Sequence, residues 1–384
     1  MTLRSRSITH YFRLFWPYLM LCAALSPLSC IQSYTPPAIK GTHTYLVVDG
    51  FINSGPDSTI FNLSNSTSLG DSLPPAPETG AQITIEGNGG FSSSLTELGN
   101  GRYGAPALFL DPSQQYRVAI QTVNGNQYLS TYVPVQQTPA IDSVSWVQQP
   151  TGVQIYVSTH DPNNLVNDYE WQYAESYEYH SAFNSALTVV NGAIEYRLAN
   201  QSIYDCWVNT NSTDIFVGSS AGLSQKVIFE QPILFIPTSS VKLSVEYSIL
   251  VKQLALTPDA YAFWQNLKAN TQELGSILGP LPSEVAGNIQ CVNDPALPVL
   301  GYISAGNLQQ SRIFIFNDQI SNWPYYYYCT DSLIYAGAYY PHFYNLGYLP
   351  FQPVGAFQVL IAWASCSDCR LIGPGDTSKP AFWR

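Results

Sequence analysis

The chain is 384 residues long and carries 15 lysines and arginines against 26 aspartates and glutamates, a formal charge of −11. That balance, without any basic stripe, excludes a nucleic-acid-binding surface, because a polyanion is held by clustered cations. Only 11% of residues are charged while 14% are aromatic, and 27 prolines and 26 glycines punctuate the sequence, the profile of an extracytoplasmic β-rich protein with room for two domains.

Residues 1–29 hold Arg4, Arg6 and Arg13 and no acid, then an apolar run from Leu14 to Leu25 interrupted by Pro17, then small residues before Cys30. This is the order of a secretory signal peptide, and the apolar run is too short for a membrane span of about 20 residues. Leu28-Ser29-Cys30 resembles a bacterial lipobox, in which the cysteine thiol takes a diacylglyceryl group and becomes the new N-terminus. The predicted anchor is therefore a lipid on Cys30, with residues 30–44 as tether; the alternative is a plain secretion signal. Cleavage removes three of the 15 basic residues and leaves 12 against 26 acids.

From 45 to 136 short alternating runs recur about every ten residues. "YLVVDGFINS", "STIFNLSNS", "GAQITIEGN" and "QYRVAIQTVNGNQYLSTYV", with Asn124-Gly125 between two runs, predict an immunoglobulin-like β-sandwich. Pro134 and Pro139 mark the join to a larger β-rich domain over 137–384, sandwich-like and carrying one helical insertion. In that domain "HDPNNLVNDYE" offers Asp161, Asn163, Asn164, Asn167 and Asp168 as oxygen ligands, but not at the spacing of a calcium loop, and it reads as a polar hairpin turn.

"YEWQYAESYEYHS" follows. Period two puts Tyr169, Trp171, Tyr173, Tyr177 and Tyr179 on one face together with Glu175, an acid in an aromatic row. If that face is the core face, Glu175 needs a cationic partner, for which Arg197 and Lys252 are candidates, or it is a site residue with a raised pKa. Farther on, Thr257 as N-cap, Pro258 at the first helical position, Asp259 in the first turn and Phe263, Leu267 and Leu274 on one face predict an amphipathic helix over 257–274, stopped by Gly275.

"LVVDGFIN", "GAQITI", "YEWQYAESYE", "YSILVKQLALTPDAYAFWQNLKANTQELGSI", "GNIQC", "VLGYISA" and "CSDCRLIG…KPAFW", in this order, resemble the DUF4249 family. The resemblance implies a lipoprotein of Bacteroidetes-type bacteria, held on the outer membrane and accessory to a TonB-dependent receptor. It assigns no catalytic residue. The acidic residues that often follow the lipidated cysteine in surface-exported lipoproteins are replaced here by Ile31, Gln32, Ser33 and Tyr34, so the periplasmic and surface sides stay open.

With Cys30 lipidated, Cys206, Cys291, Cys329, Cys366 and Cys369 remain in an oxidising compartment. Cys366-Ser-Asp-Cys369 lacks the second pair that zinc would want and the strand-helix context of a redox motif, so no metal or cofactor is expected. A structural disulfide is expected instead, Cys329 with Cys366 or Cys369, and Cys291 as the next candidate. Dense aromatics form a possible stacking or contact surface from Tyr325, Tyr326, Tyr327, Tyr328, Tyr339, Tyr340, Phe343, Tyr344 and Tyr348; the alternative is that they fill the sheet. The functional expectation is a non-enzymatic binding or accessory lipoprotein. The alternatives are a polymer hydrolase acting through Glu175 and a structural role in envelope assembly.

Overall fold

The structure, a computed structural model, describes residues 44–67, 74–272, 285–324, 327–339 and 342–384. The predicted signal, Cys30, most of the tether, Gly275, Tyr325, Tyr326 and Tyr340 lie outside the described residues. Residues Tyr45–Asn65 and Ala76–Arg384 form one compact unit; the remainder, 1–44 and 66–75, is almost wholly outside the description. The fold is mainly β.

Two sheets face each other in the N-terminal part. One runs Val299–Leu300, Leu46–Gly50, Thr59–Asn65, Arg102–Ala105, Thr96–Gly99. The other runs Ile52–Asn53, Ala305–Gly306, Val133–Gln136, Gln115–Gln121, Gln127–Ser130, Ile289–Cys291, with Gln82–Gly87 also on Gln115–Gln121. Alternation does the sorting: in Gln115–Gln121, Tyr116, Val118 and Ile120 are buried while Gln115 and Gln121 are exposed. Ile83, Ile85, Phe61, Leu63 and Tyr103 meet them from neighbouring strands and form a sandwich core. Thr122 and Asn126 close the hairpin, with Gly125 at φ +90°.

The division at 136/137 does not describe how this sandwich is built. Residues 289–306 return to it from the far side of the helix, pairing in parallel with Leu46–Gly50, Ile52–Asn53 and Val133–Gln136 and antiparallel with Gln127–Ser130. Ile289, Cys291, Val299, Ile303 and Ala305 join its core. These short strands cover backbone edges that would otherwise be open.

The second core lies between the sheet Ile141–Gln149, Gly152–His160, Val227–Pro237 and the sheet Asp205–Asn211, Asp168–His180, Glu246–Leu256, Gln309–Phe316. Tyr169, Trp171, Tyr177 and Tyr179 point into it, as the aromatic row predicts. A further, three-stranded sheet, Asp331–Tyr335, Gln358–Trp363, Tyr348–Val354, closes the C-terminal part. The helix runs Pro258–Gln272, and Thr257 Oγ1 accepts from the Ala260 amide at 3.3 Å, the expected cap. Among the described residues no helix is long and apolar enough to cross a membrane.

Candidate functional site

The strand Asp168–His180 is covered on both faces, and this creates the site. Glu170 lies opposite the aromatic row, yet it is only 7% exposed. Its face turns toward a cavity of about 520 Å³ between the first sandwich, the central sheet and the helix. That is a small-molecule volume. Asp49, Asn62 and Arg102 come from the first sandwich; Glu170, Gln172, Lys252 and Leu254 form the floor; Trp264 and Tyr302 supply aromatic walls.

Each wall has a local cause. Phe263 is buried and its ring meets Trp264 at 5.3 Å and Tyr302 at 5.2 Å between centroids, so the helix carries Trp264 to the rim. Tyr302 shares a hydrogen bond with Thr257, the helix cap. Before it, Gly301 adopts φ +134° where a Cβ would overlap the Val48 carbonyl oxygen, so only glycine lets the returning chain pass so close to the first sandwich.

Glu170 Oε1 accepts from Gln172 Nε2 at 3.0 Å. Burial, with a lesser contribution from the charge on Asp49, pushes the Glu170 carboxyl up to about 7. No ion pair within 4.0 Å relieves it, and Lys252, on the neighbouring strand, pairs with no acid among the described residues. The cavity thus holds two acids, two bases, amides and aromatic faces, and among its described lining residues there is no histidine or cysteine. That composition suits orientation of a polar ligand by hydrogen bonds and stacking.

Sequence reasoning missed this site. Period two puts Glu170 on the face opposite the aromatic row, and alternation alone gives no sign that a second layer covers that face.

Glu175 is buried, at 6% exposure, and its partner is neither Arg197 nor Lys252. Lys242 Nζ lies 2.6 Å from Oε1, Tyr247 Oη donates to Oε2 at 2.9 Å and Thr210 Oγ1 donates to Oε1 at 3.0 Å. Arg197 instead donates to the carbonyls of Leu187 and Gln201, and Lys252 lines the cavity. The Asp161 carboxylate is spent on the amides of Asn163, Leu165 and Val166, which hold it below the usual range despite its burial. That is a turn cap.

The expected aromatic surface divides. Tyr339 is fully buried and donates to the Tyr348 carbonyl at 2.8 Å, and Phe343 and Tyr348 pack with it around Leu187, Val359 and Ile361. Tyr327, Tyr328 and Tyr344 are exposed, Tyr328 at 83%. The described members therefore do not make one stacking platform, because Tyr339, Phe343 and Tyr348 are needed to fill a small core.

Two disulfides form, Cys329–Cys366 and Cys206–Cys369. The neighbouring cysteines of Cys366-Ser-Asp-Cys369 thus serve different bridges, and Cys206 enters a pairing for which it was not a candidate. Cys291 is free and buried in the first sandwich, on a strand remote in the fold's order from the four bridged cysteines. Among the described residues one group has ligand atoms close enough to share a metal ion: Glu178, His180 and Asp205, on the same side of the sheet as Glu170 but at the strand's other end.

Comparison with curated proteins finds no match. A family model described as "Domain of unknown function (DUF4249)" matches residues 31–312, which include every residue lining the cavity, from Asp49 to Leu308, and exclude the cysteine-rich end. The chain belongs to the DUF4249 family.

Proposed function

We propose that this protein is a lipid-anchored outer-membrane lipoprotein that binds a small polar solute in the cavity over Glu170, as a non-enzymatic accessory of a TonB-dependent transporter. One observation carries the binding part of this reading: a buried carboxyl without a cationic partner forms the floor of a small-molecule-sized cavity with aromatic walls. Such a group weakens the fold, and carboxyls with raised pKa values gather at functional sites. The N-terminal charge, apolar run and Cys30 support the anchor.

Glu175 faces the second core with both carboxylate oxygens engaged by Lys242, Tyr247 and Thr210, which supports a structural role for this acid.

The deciding experiment is solubilisation from native membranes in mild detergent, with intact-mass analysis and identification of co-purifying proteins. The expected result is an acylated chain beginning at Cys30 together with a β-barrel receptor in stoichiometric amount. An unmodified chain without a partner overturns the anchor and accessory parts of the proposal.

A further inference from the structure

The cavity over Glu170 occupies one end of the outward face of the central sheet. The other end holds a different constellation. Glu178 and His180 are two apart on one strand and so share a face, and Asp205 pairs directly with His180 on the next strand. His180 Nε2 lies 3.0 Å from Glu178 Oε1 and 3.1 Å from Asp205 Oδ1.

Both carboxylates therefore address the same ring nitrogen. A protonated Nε2 has a single hydrogen and can align with only one of them. A metal ion meets all three at once. With bonds of about 2.0–2.2 Å, neighbouring ligand atoms stand roughly 2.8–3.1 Å apart around an octahedral ion and roughly 3.3–3.6 Å apart around a tetrahedral one, and the two contacts to His180 have the octahedral spacing. The three ligand atoms lie within 4.8 Å of one another.

A second, independent observation points the same way. Glu246 sits directly across from Glu178 on the third strand and is only 8% exposed. Its Oε1 is buried with no hydrogen-bond donor. Two carboxylates and one imidazole thus converge beside a third, buried carboxylate with an acceptor left over among the described residues, and that is the imbalance a divalent cation corrects.

The surroundings supply one side of an outer shell. Trp383 is buried and donates from Nε1 to the free oxygen of Glu178 at 3.0 Å, as carboxylate ligands are commonly held from behind. Its ring meets Phe314 at 5.8 Å, and Asp376 bridges to Trp207, so the C-terminal segment lies across the group.

We infer that Glu178, His180 and Asp205 bind one divalent transition-metal ion. One nitrogen and several carboxylate oxygens, without sulfur, suit Zn²⁺ or its neighbours better than Ca²⁺, which takes six to eight oxygens. The site lies apart from the cavity and does not depend on the transport reading.

The test is calorimetric titration of the purified mature chain, made without a histidine tag, with Zn²⁺ alone. Parent, His180→Gln, Asp205→Asn and His160→Gln are compared. The expected result is one ion per chain, at least tenfold weaker binding in the first two variants, and no change in the third, whose His160 only pairs with Asp142 at the surface. Asp205 is about a third exposed, so its isosteric variant keeps the test available if His180→Gln fails to fold. Visible absorption of the Co²⁺-loaded parent, lost in Asp205→Asn, gives a second readout. Absence of saturable Zn²⁺ binding, or equal affinity in a folded Asp205→Asn, overturns the inference and leaves His180 as a hydrogen-bonding partner of the two carboxylates.

Discussion

Lys242 reaches Glu175 at 2.6 Å from a short 3₁₀ turn, Val241–Leu243, so the acid in the aromatic row is neutralised from a loop. Replacing Lys242 by Met strands a buried carboxylate beside Tyr247. Loss of one partner of a fully buried pair costs about 3–5 kcal/mol. The Lys242 side chain is 28% exposed, which lowers the expected cost to about 2 kcal/mol. Combining Lys242→Met with Glu175→Gln should recover part of it. Urea denaturation with an unchanged m-value checks this, and a double variant no better than the single one would show that the lysine acts through packing.

Glu170 makes the fold sensitive to pH. Its carboxyl titrates at about 7 in the folded chain against 4.5 ordinarily, so the folded state keeps a proton that the unfolded chain has already released. The associated stability is complete below pH 4.5 and is lost as pH rises through 7. A Glu170→Gln variant should match the parent near pH 4.5 and exceed it at pH 8 by on the order of 3 kcal/mol. Unfolding free energies at the two pH values measure the difference, and a variant less stable than the parent at pH 8 contradicts an uncompensated Glu170.

The contrast between Glu175 and Glu170 shows what was legible in the letters. Alternation identified the strands, the Asn124-Gly125 turn and the aromatic core row, and Thr257-Pro258 identified the helix, because these signals are local. The acid in the aromatic row could be recognised as needing a cation. Which cation could not be read, since Lys242 is 67 residues away. Glu170 falls on the face opposite the aromatic row, and periodicity reports two faces and not what packs on each. The return of 289–306 rests on parallel pairs of two residues, too short to leave a pattern. Tyrosine density was equally silent: Tyr339 is core and Tyr328 is exposed, and composition is blind to that distinction.

The two disulfides should contribute unequally. Cys206–Cys369 spans 163 residues and Cys329–Cys366 spans 37. In the chain-entropy account these closures stabilise by about 5 and about 4 kcal/mol respectively, as upper values. Cys206→Ala should therefore lower the denaturation midpoint more than Cys329→Ala, and Cys291→Ala should leave both bridges intact. Thiol titration of the denatured, unreduced mature chain should find one thiol, Cys291, if Cys30 carries lipid, and two if it does not. The same count thus reports on the anchor as well as on the pairing.

Phe263 and Trp264 are adjacent on the helix and should separate stability from binding. Phe263 is buried, so its truncation to Ala should cost about 3–5 kcal/mol. Trp264 is only partly buried and lines the cavity, so Trp264→Ala should cost markedly less. If the cavity holds a solute, Trp264→Ala removes an aromatic wall and reduces the small molecule retained on the protein in native mass spectrometry. A variant that keeps both its stability and its bound solute would mean that Trp264 merely caps the helix surface, and that any ligand rests on the Glu170 side of the cavity alone.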